Sequence, residues 1–371
     1  MKKQTIIVLS AIIIAILAVL TVYSRTHITS STTIKIGAAL TLSGDGAVWG
    51  EASRNAAKLA VSEINSAGGV NGRQLELLIE DTESTSKGSV SAVSKMQNVD
   101  GADAFIASWL DVYQGAESIL KPGQIMITPD GGVEAVNGAR VHSGVFSTWY
   151  RTQPKSDLIL KYMHNQGKKR LYLIAQNDSY YSYTVNYMAS EAKKLGIEIV
   201  GQDLVNSDSD MRTILAKVTS YKADAVWFGL YDDKATFSLL KRRAEFSDRG
   251  VSFYGDELVQ QNLSRADYKG LLEDIYFYTP RKPDASFYDK YVSMYGKEPV
   301  FGAAPTYDAV YMIARVLKDN PTNIDAYMRS TNFKTVSYGD VKFDDIGGVT
   351  TDSNYFTIKQ VKGGEAIAVK M

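Results

Sequence analysis

A glycine-rich turn, SGDGAVWG, joins the first predicted strand of the chain to the helix that follows. Such a turn binds a dinucleotide when its glycines follow the spacing G-x-G-x-x-G, because each glycine lets the pyrophosphate approach the backbone closely. Gly44 and Gly46 fit the first two positions, but Trp49 occupies the third, where an indole would block the pyrophosphate. The turn therefore predicts no NAD(P) and no other cofactor, although its N–H groups could still bind an oxygen of a smaller ligand.

Aromatic side chains follow the carboxyl ends of several predicted strands. Trp49, Trp109, Tyr180 and Tyr231 each lie just after such a strand. In open parallel sheets, ligands bind in the crevice outside these strand ends. One such ring alone is more typical of packing, but four of them beside the crevice favour a pocket that stacks on a ligand. Trp227 lies inside a strand and is interpreted as a core residue.

Motifs for catalysis are scarce. The chain has no cysteine, which excludes disulfides, thiolate metal sites, cysteine nucleophiles and a lipid-modified cysteine anchor. Its histidines, His27, His142 and His164, are too scattered for a metal-ligand set, and no G-x-S-x-G elbow or G-x-x-x-x-G-K-[ST] loop is present. Acidic pairs such as Asp232–Asp233 are more typical of solvated turns than of acid–base catalysis. The sequence predicts a binding protein and no enzyme, and its formal net charge of zero indicates no nucleic-acid partner.

The elements that would position the aromatic residues form two series of alternating strands and helices. The strands of the first series are IKIGAAL, LELLIED, ADAFIAS and QIMIT, and those of the second are RLYLIAQ, IEIVGQDLV, ADAVWFGL and VSFYGDE. Strands that are apolar on both faces and alternate with helices belong to parallel sheets covered on both sides. The sequence therefore predicts an α/β fold with two doubly wound parallel-sheet lobes.

The N-terminus indicates export. Two lysines in MKKQ precede the uncharged run Thr5–Tyr23, and a polar spacer follows. The run exceeds the apolar core of about 7–15 residues typical of cleaved signal peptides. As a helix it would span about 28 Å, close to the thickness of the bilayer core. A cleaved signal and an uncleaved anchor both fit, the length favours the anchor, and the lysines predict that the body lies outside the cytoplasm.

The order of these segments resembles the extracytoplasmic solute-binding proteins of ABC importers, of the branched-chain amino acid and amide type. The opening IKIGAALTLSG…WGE…AAKLAVSEINSAGGVNGRQLELLIEDT is similar to the start of that family. IMITPDGG, FSTWYRTQ, LYLIAQNDSYYS, ADAVWFGLYDD, FYGDEL and PTYDAVYMIA follow in the expected order, and VKFDDIGGVTTDSNYFTIKQVKGG resembles the C-terminal strands. The likeness covers about residues 33–371.

The resemblance implies a type I periplasmic binding fold, with two lobes joined by three crossings that close on a ligand. Lobe one would comprise about 34–150 and 280–335, and lobe two about 151–279 and 336–371. Residues 1–33 would be the signal peptide or membrane anchor with its spacer. The implied partners are a small-molecule solute and an ABC permease in the membrane.

The strand-end pattern and the resemblance together predict a set of ligand-binding residues: Trp49, Trp109, Asp111, Thr128, Asp130, Gly131, Tyr180, Tyr231, Asp256 and Glu257. The rings would stack on the apolar body of the ligand, while Thr128 and Gly131 would offer hydroxyl and backbone groups. Asp256 or Glu257 would bind a positive group, because a desolvated cation needs a charge partner.

Two acidic residues depart from the family pattern. Members that bind amino acids present hydroxyls to the α-carboxylate after the third and fourth strands, whereas this chain has Asp111 and Asp130 there. Carboxylates so placed would repel the carboxylate of a ligand. Either they point away as caps of the helices that follow, or the ligand is a cationic amine or a polyol instead of an ordinary amino acid.

The sequence therefore predicts an extracytoplasmic protein that binds a small polar solute between two closing lobes and delivers it to an ABC importer. An amino acid, an amide or a related compound is the expected ligand, and a cationic amine or polyol is the alternative class. A membrane-tethered receptor of the same fold, which senses its ligand instead of transporting it, is the alternative function.

Overall fold

The computed structural model describes residues 33–132, 143–246, 250–351 and 353–370. Within these residues, two sheets built mainly from parallel strands each form the centre of a lobe, together with the helices that cover them. This arrangement confirms the predicted α/β fold with two doubly wound parallel sheets.

The first sheet has five parallel strands in the order β2-β1-β3-β4-β5. The strands are β1 (Ile34–Leu40), β2 (Leu75–Asp81), β3 (Ala104–Ala107), β4 (Met126–Thr128) and β5 (Val145–Ser147). Between them lie the helices α1 (Ala47–Ser66), α2 (Ser86–Asn98) and α3 (Leu110–Glu117).

The second sheet has seven strands in the order β14-β13-β10-β9-β8-β6-β7. Its parallel strands are β6 (Arg170–Gln176), β7 (Glu198–Val205), β8 (Ala225–Gly229), β9 (Ser252–Gly255) and β10 (Tyr276–Pro280). The helices of this half are α4 (Thr152–Asn165), α5 (Ser179–Lys194), α6 (Met211–Ser220), α7 (Asp233–Glu245) and the short α8 (Leu258–Asn262). The last two strands, β13 (Phe356–Lys362) and β14 (Glu365–Ala368), extend the sheet in antiparallel pairs.

The remaining elements follow β10. They are the helices α9 (Ala285–Tyr295), α10 (Ala303–Asp319) and α11 (Ile324–Ser330) and the antiparallel ribbon of β11 (Phe333–Thr335) and β12 (Gly339–Val341). Phe287, Val310, Phe333 and Val341 from these elements share one core with Ile36 of the first sheet. The chain therefore crosses between the lobes three times, after β5, after β10 and before β13. The residue boundaries expected for the two lobes stay a prediction.

The strand β1 shows why the sequence is apolar on both faces of the sheet. Ile36 and Ala38 pack in the core shared with α1 and α10, while Ala39 faces the opposite way into the core formed with Met96 of α2. Because successive side chains of a strand point to opposite faces, a strand covered by helices on both sides cannot alternate with polar residues.

Within the described residues, no helix is long and apolar enough to cross a membrane. The apolar run Thr5–Tyr23 and His27 and His142 lie outside those residues. The choice between a cleaved signal peptide and a membrane anchor therefore stays a prediction.

Candidate functional site

A pocket of about 80 Å³ lies where the carboxyl ends of the strands of both sheets meet. Its lining residues are Trp49, Trp109, Leu110, Asp130, Trp149, Asp178, Tyr180, Tyr181, Tyr231, Glu257, Leu258 and Phe301. Trp49, Trp109 and Asp130 follow β1, β3 and β4 of the first sheet, while Tyr231 and Glu257 follow β8 and β9 of the second. Both lobes thus contribute walls to one pocket, as strand-end geometry predicts for open parallel sheets.

Three rings meet across the boundary between the two lobes. The centroid of Trp109 lies 5.2 Å from that of Tyr231 and 5.6 Å from that of Trp49, and Trp49 and Tyr231 are 6.2 Å apart. All three pairs are edge-to-face, an arrangement that the quadrupoles of aromatic rings favour. Three of the four rings that the sequence identified therefore form a single cluster that connects the lobes, and the fourth, Tyr180, lines the same pocket.

The backbone holds Trp109 in an unusual conformation at the start of α3. Its φ of 70° lies in the left-handed region, which costs a non-glycine residue about 1–3 kcal/mol. The ring lies against Gly46, where an added Cβ would be 2.0 Å from the indole. The N–H of Gly46 donates to Ser84 Oγ at 3.0 Å and is not directed at a ligand. This glycine of the turn therefore makes room for the indole, whereas the sequence suggested that the turn presents its N–H groups to a solute.

Asp130 follows β4, is half-buried, and accepts a hydrogen bond from the backbone N–H of Trp109 at the start of α3. Burial raises the pKa of its carboxyl to about 7, and the N–H of Trp109 partly opposes this rise. The side chain lines the pocket but also covers the N-terminus of a helix. Asp130 therefore lines the pocket and accepts from the start of the helix that precedes it in the chain, whereas the alternative considered from the sequence was a cap of the helix that follows.

Asp178 follows β6 in the second lobe and also accepts from a helix N-terminus. Its Oδ1 accepts from the N–H of Tyr181 at 2.7 Å and thereby caps α5. Burial raises the pKa of Asp178 to about 6, while the hydrogen bonds from Tyr181 and from the hydroxyl of Tyr231 lower it. The sequence analysis did not select Asp178, although it stands two residues before the predicted Tyr180.

A buried ion pair lies behind the pocket in the second lobe. Lys155 Nζ is 2.9 Å from Glu257 Oε1, and the hydroxyl of Tyr150 donates to the same oxygen at 2.6 Å. The ammonium also lies 5.0 Å from the ring centroid of Tyr150 and 5.2 Å from that of Tyr180. Glu257 therefore lines the pocket with a charge that Lys155 already balances. The sequence analysis did not find Lys155, because it lies on α4, 102 residues before Glu257 in the chain.

Asp256 points away from the lining. Its Oδ2 accepts from the hydroxyl of Tyr181 at 2.6 Å. Burial raises its pKa to about 7, the charge of Glu257 adds to the rise, and the bond from Tyr181 opposes it. Of the two acids predicted at this position, the structure brings Glu257 to the pocket and uses Asp256 to fix the ring of Tyr181, which itself lines the pocket.

The other predicted residues lie beside the pocket and not in its lining. Asp111 occupies the first turn of α3, where a hydrogen bond from Ser179 of α5 opposes the rise in pKa that burial causes. Thr128 is buried at the end of β4, and its hydroxyl has no hydrogen-bond partner among the described residues. Gly131 is buried as well, and its carbonyl accepts from Ser147 Oγ at 2.7 Å.

The lining also contains residues that the sequence analysis did not predict. Trp149 lies on the first crossing, Phe301 precedes α10 and Leu258 begins α8. Trp149 and Leu258 stand shortly after β5 and β9, where the strand-end rule could have found them, whereas Phe301 reaches the cleft through the path of the chain after the second crossing. Among the described residues, no group of three or more His, Cys, Asp or Glu side chains could hold a metal ion.

Comparisons with known proteins agree on one family. The family model described as "Periplasmic binding protein" matches residues 33–365. The leucine-, isoleucine-, valine-, threonine-, and alanine-binding protein of Pseudomonas aeruginosa is 26% identical over 332 residues, which is 85% of this chain and 87% of that protein.

Solved structures of the same fold extend the comparison. The branched-chain amino acid transporter substrate binding protein LivJ of Streptococcus pneumoniae, in complex with isoleucine, superimposes with a TM-score of 0.73 at 23% identity. The superposition covers 92% of this chain and 100% of the LivJ chain. A solute binding protein from R. palustris, in complex with 4-hydroxybenzoate, superimposes with a TM-score of 0.78 at 14% identity. That superposition covers 91% of this chain and 96% of the R. palustris chain.

Proposed function

This chain belongs to the periplasmic binding protein family, and we propose that it binds a small polar solute between its lobes and delivers it to an ABC importer permease. Its relatives are binding proteins and not enzymes, which agrees with the prediction from the sequence. The family implies a location outside the cytoplasm.

The observation that carries the proposal is that both lobes supply walls of one pocket. Trp49 and Trp109 come from the first lobe, and Tyr231 and Glu257 come from the second. A solute that contacts all four holds the lobes together, and its binding free energy is then available to stabilise the closed arrangement. A permease can distinguish loaded from empty protein only if the ligand changes that balance.

The size of the pocket indicates how the solute enters. A volume of about 80 Å³ is smaller than the cavity of roughly 150 Å³ that holds benzene in an engineered protein. The rings of Trp49, Trp109 and Tyr231 are already in mutual contact. We infer that the lobes must part at these rings before a solute enters, and that the rings then close around it.

A panel of solutes tests the binding half of the proposal. Isoleucine and 4-hydroxybenzoate, the ligands of the structurally similar proteins, are the first probes, followed by amides, alkylamines and polyols. Because tryptophans line the pocket, binding should change the intrinsic fluorescence, and calorimetry should give one site per chain. A bound compound that is recovered chemically altered would point to an enzyme and contradict the proposal.

We predict that Tyr231→Ala weakens binding of the identified solute by about 1–3 kcal/mol, because it removes one ring of the cluster. Tyr221→Ala is the matched control, since that ring is 47% exposed and lies outside the lining. Titration calorimetry of both variants gives the measurement. Equal affinities in wild type and Tyr231→Ala would mean that the solute binds elsewhere.

Uptake of the labelled solute tests delivery. Cells that lack this protein should lose uptake and recover it with the wild-type chain but not with Tyr231→Ala. Unchanged uptake together with a lost transcriptional response to the solute would instead support the sensory receptor.

A further inference from the structure

The charged groups of the pocket lining all have the same sign among the described residues. Asp130, Asp178 and Glu257 contribute carboxylates, whereas no lysine, arginine or histidine lines the pocket in the part of the chain that the structure describes. We propose that the pocket selects a small organic cation that carries no carboxylate, such as an alkylated ammonium ion. This inference rests on the proposed function, because it names the class of solute that the same pocket takes.

The helix N-termini beside the pocket are already covered by carboxylates of the protein itself. Asp130 accepts from the N–H of Trp109 at the start of α3, and Asp178 accepts from the N–H of Tyr181 in the first turn of α5. A helix N-terminus is a favourable site for an anion. Since both termini are occupied from within, a carboxylate on the solute would meet two acidic side chains where it needs donors.

The buried cation next to the pocket is also engaged. Lys155 lies behind the lining, 2.9 Å from Glu257 Oε1, and the rings of Tyr150, Tyr180 and Tyr278 surround its ammonium at 5.0–5.2 Å. Its side chain is only 1% exposed and does not belong to the lining, so the ammonium is not presented to a solute. The ion pair therefore balances the charge of Glu257 within the protein, supplies no positive wall, and leaves Asp130 and Asp178 as the lining carboxylates without a lysine partner among the described residues.

A cation gains from this arrangement in two ways. The lining contains rings of both lobes, among them Trp49, Trp109 and Tyr231, and an ammonium within about 6 Å of such a ring is attracted by its quadrupole. Asp130 and Asp178 line the same pocket, so carboxylate oxygens lie near these rings. A neutral polyol could stack on the rings but would not compensate negative charge on Asp130 and Asp178.

Burial also disfavours the ionised forms of two acidic side chains, and a bound cation would offset this. Burial raises the pKa of Asp130 to about 7 and that of Asp178 to about 6, because the loss of water disfavours the ionised carboxylate. A cation bound between them favours the ionised form of both. Solute charge and carboxylate charge then support each other inside the closed cleft.

Calorimetry on the full chain tests the proposal with choline, tetramethylammonium, 3,3-dimethylbutan-1-ol, leucine and benzoate. The alcohol is the uncharged carbon isostere of choline, so the pair differs in charge at nearly constant shape. We expect choline to bind at least 100-fold more tightly than the alcohol, and leucine and benzoate to bind more weakly than choline.

Two substitutions locate the effect. Asp130→Asn should lower the affinity for choline at least 10-fold and change the affinity for the alcohol less than twofold. Asp178→Asn provides a second test if the first variant does not fold, because asparagine also serves as an N-cap. Glu76→Gln, an exposed position on β2, is the charge control and should leave choline binding unchanged.

Several outcomes overturn the inference. Equal affinities for choline and the alcohol would exclude selection by charge, and failure of both ammonium probes to bind would exclude an organic cation. If leucine or benzoate binds to the ring pocket while both ammonium probes fail, the solute-binding function stands and only the cation assignment falls. If Asp130→Asn and Asp178→Asn both fold and bind choline as wild type does, the carboxylates play no part.

Discussion

Ionisable side chains near the pocket are held where water is scarce. Asp130, Asp178 and Asp256 all have a raised pKa because burial disfavours their charged forms. Each is hydrogen-bonded, to the N–H of Trp109, the N–H of Tyr181 or the hydroxyl of Tyr181, but these donors offset the burial only in part. The ligand-free protein therefore keeps acidic groups in the cleft at a cost in stability.

This cost predicts how stability depends on pH. The pKa of Asp130 is about 7 in the folded chain against 3.8 for the free group, so the folded state holds the proton more tightly than the unfolded state. Its contribution to stability is therefore full below about pH 4 and is lost as the pH rises through 7. We expect Asp130→Asn to remove about 2–3 kcal/mol of the decline in unfolding free energy between pH 5 and pH 8.

Denaturant unfolding of the ligand-free protein at several pH values provides the measurement. Glu76→Gln is the control, because that side chain is exposed and should leave the profile of the wild type unchanged. Parallel pH profiles of wild type and Asp130→Asn would show that Asp130 does not titrate in this range.

Among the elements, the starts of α1 and α3 pack against each other at the cleft. Gly46 is the N-cap of α1, and Trp109 is the N-cap of α3. Neither helix has a side-chain cap from these residues, since one is glycine and the indole of the other lies over that glycine. The position of the Trp109 ring in the pocket thus depends on the absence of a side chain on another helix.

Gly46→Ala should displace that ring. The new Cβ would lie 2.0 Å and 2.1 Å from two ring carbons of Trp109, so the indole or the first turn of α1 has to move. We expect at least a 10-fold loss of solute affinity and a loss of about 1–3 kcal/mol in unfolding free energy, typical of overpacking. Tryptophan fluorescence and thermal unfolding measure both effects.

A second substitution separates crowding at the ring from a general defect of α1. Trp109→Phe in the Gly46→Ala background leaves a smaller ring and should recover part of the lost stability. Affinity and stability of Gly46→Ala equal to those of wild type would show that the ring moves aside without consequence.

At the scale of the whole molecule, the crossings between the lobes are linked to one another. Arg151, on the first crossing, forms a salt bridge with Asp344, which precedes the third crossing. Ser147 donates its N–H to the carbonyl of Gly347 at 2.8 Å, and its own carbonyl accepts from Val349 at 3.1 Å. The segment before β13 is therefore tied to the end of β5, and movement of one crossing must involve the other.

Asp344→Ala tests this link. The guanidinium of Arg151 is mostly buried and would lose its carboxylate partner, and the N–H groups of Ile346 and Gly348 would lose an acceptor. We expect a loss of about 1–3 kcal/mol in unfolding free energy. Small-angle scattering of the ligand-free protein should also show a wider spread of lobe separations.

The adjacent Asp345 provides the matched control, because its side chain is exposed and, among the described residues, it is the backbone carbonyl that accepts a hydrogen bond, from Arg329. Asp345→Ala should unfold and scatter as wild type does. If Asp344→Ala behaves like Asp345→Ala, the salt bridge contributes nothing to the link between the crossings.

The sequence alone determined the plan of the fold and the family. Apolar strands such as β1 and β8 alternate with amphipathic helices, and this periodicity is local, so it can be read without knowing which strands are neighbours. The same local rule put Trp49, Trp109 and Tyr231 at strand ends, where parallel sheets expose residues to a cleft. The structure brings these three rings into mutual contact.

Only the tertiary structure decided what the acidic residues do. Glu257 meets Lys155 across 102 residues, and the carboxylate of Asp130 reaches the N–H of Trp109 across 21. No periodic pattern marks such pairs, because they depend on how sheets and helices approach one another in space. The charge presented to a solute follows from these contacts. A carboxylate paired with lysine is neutralised, whereas one that accepts only from a backbone N–H, or lies unpaired in the lining, stays available to a cation.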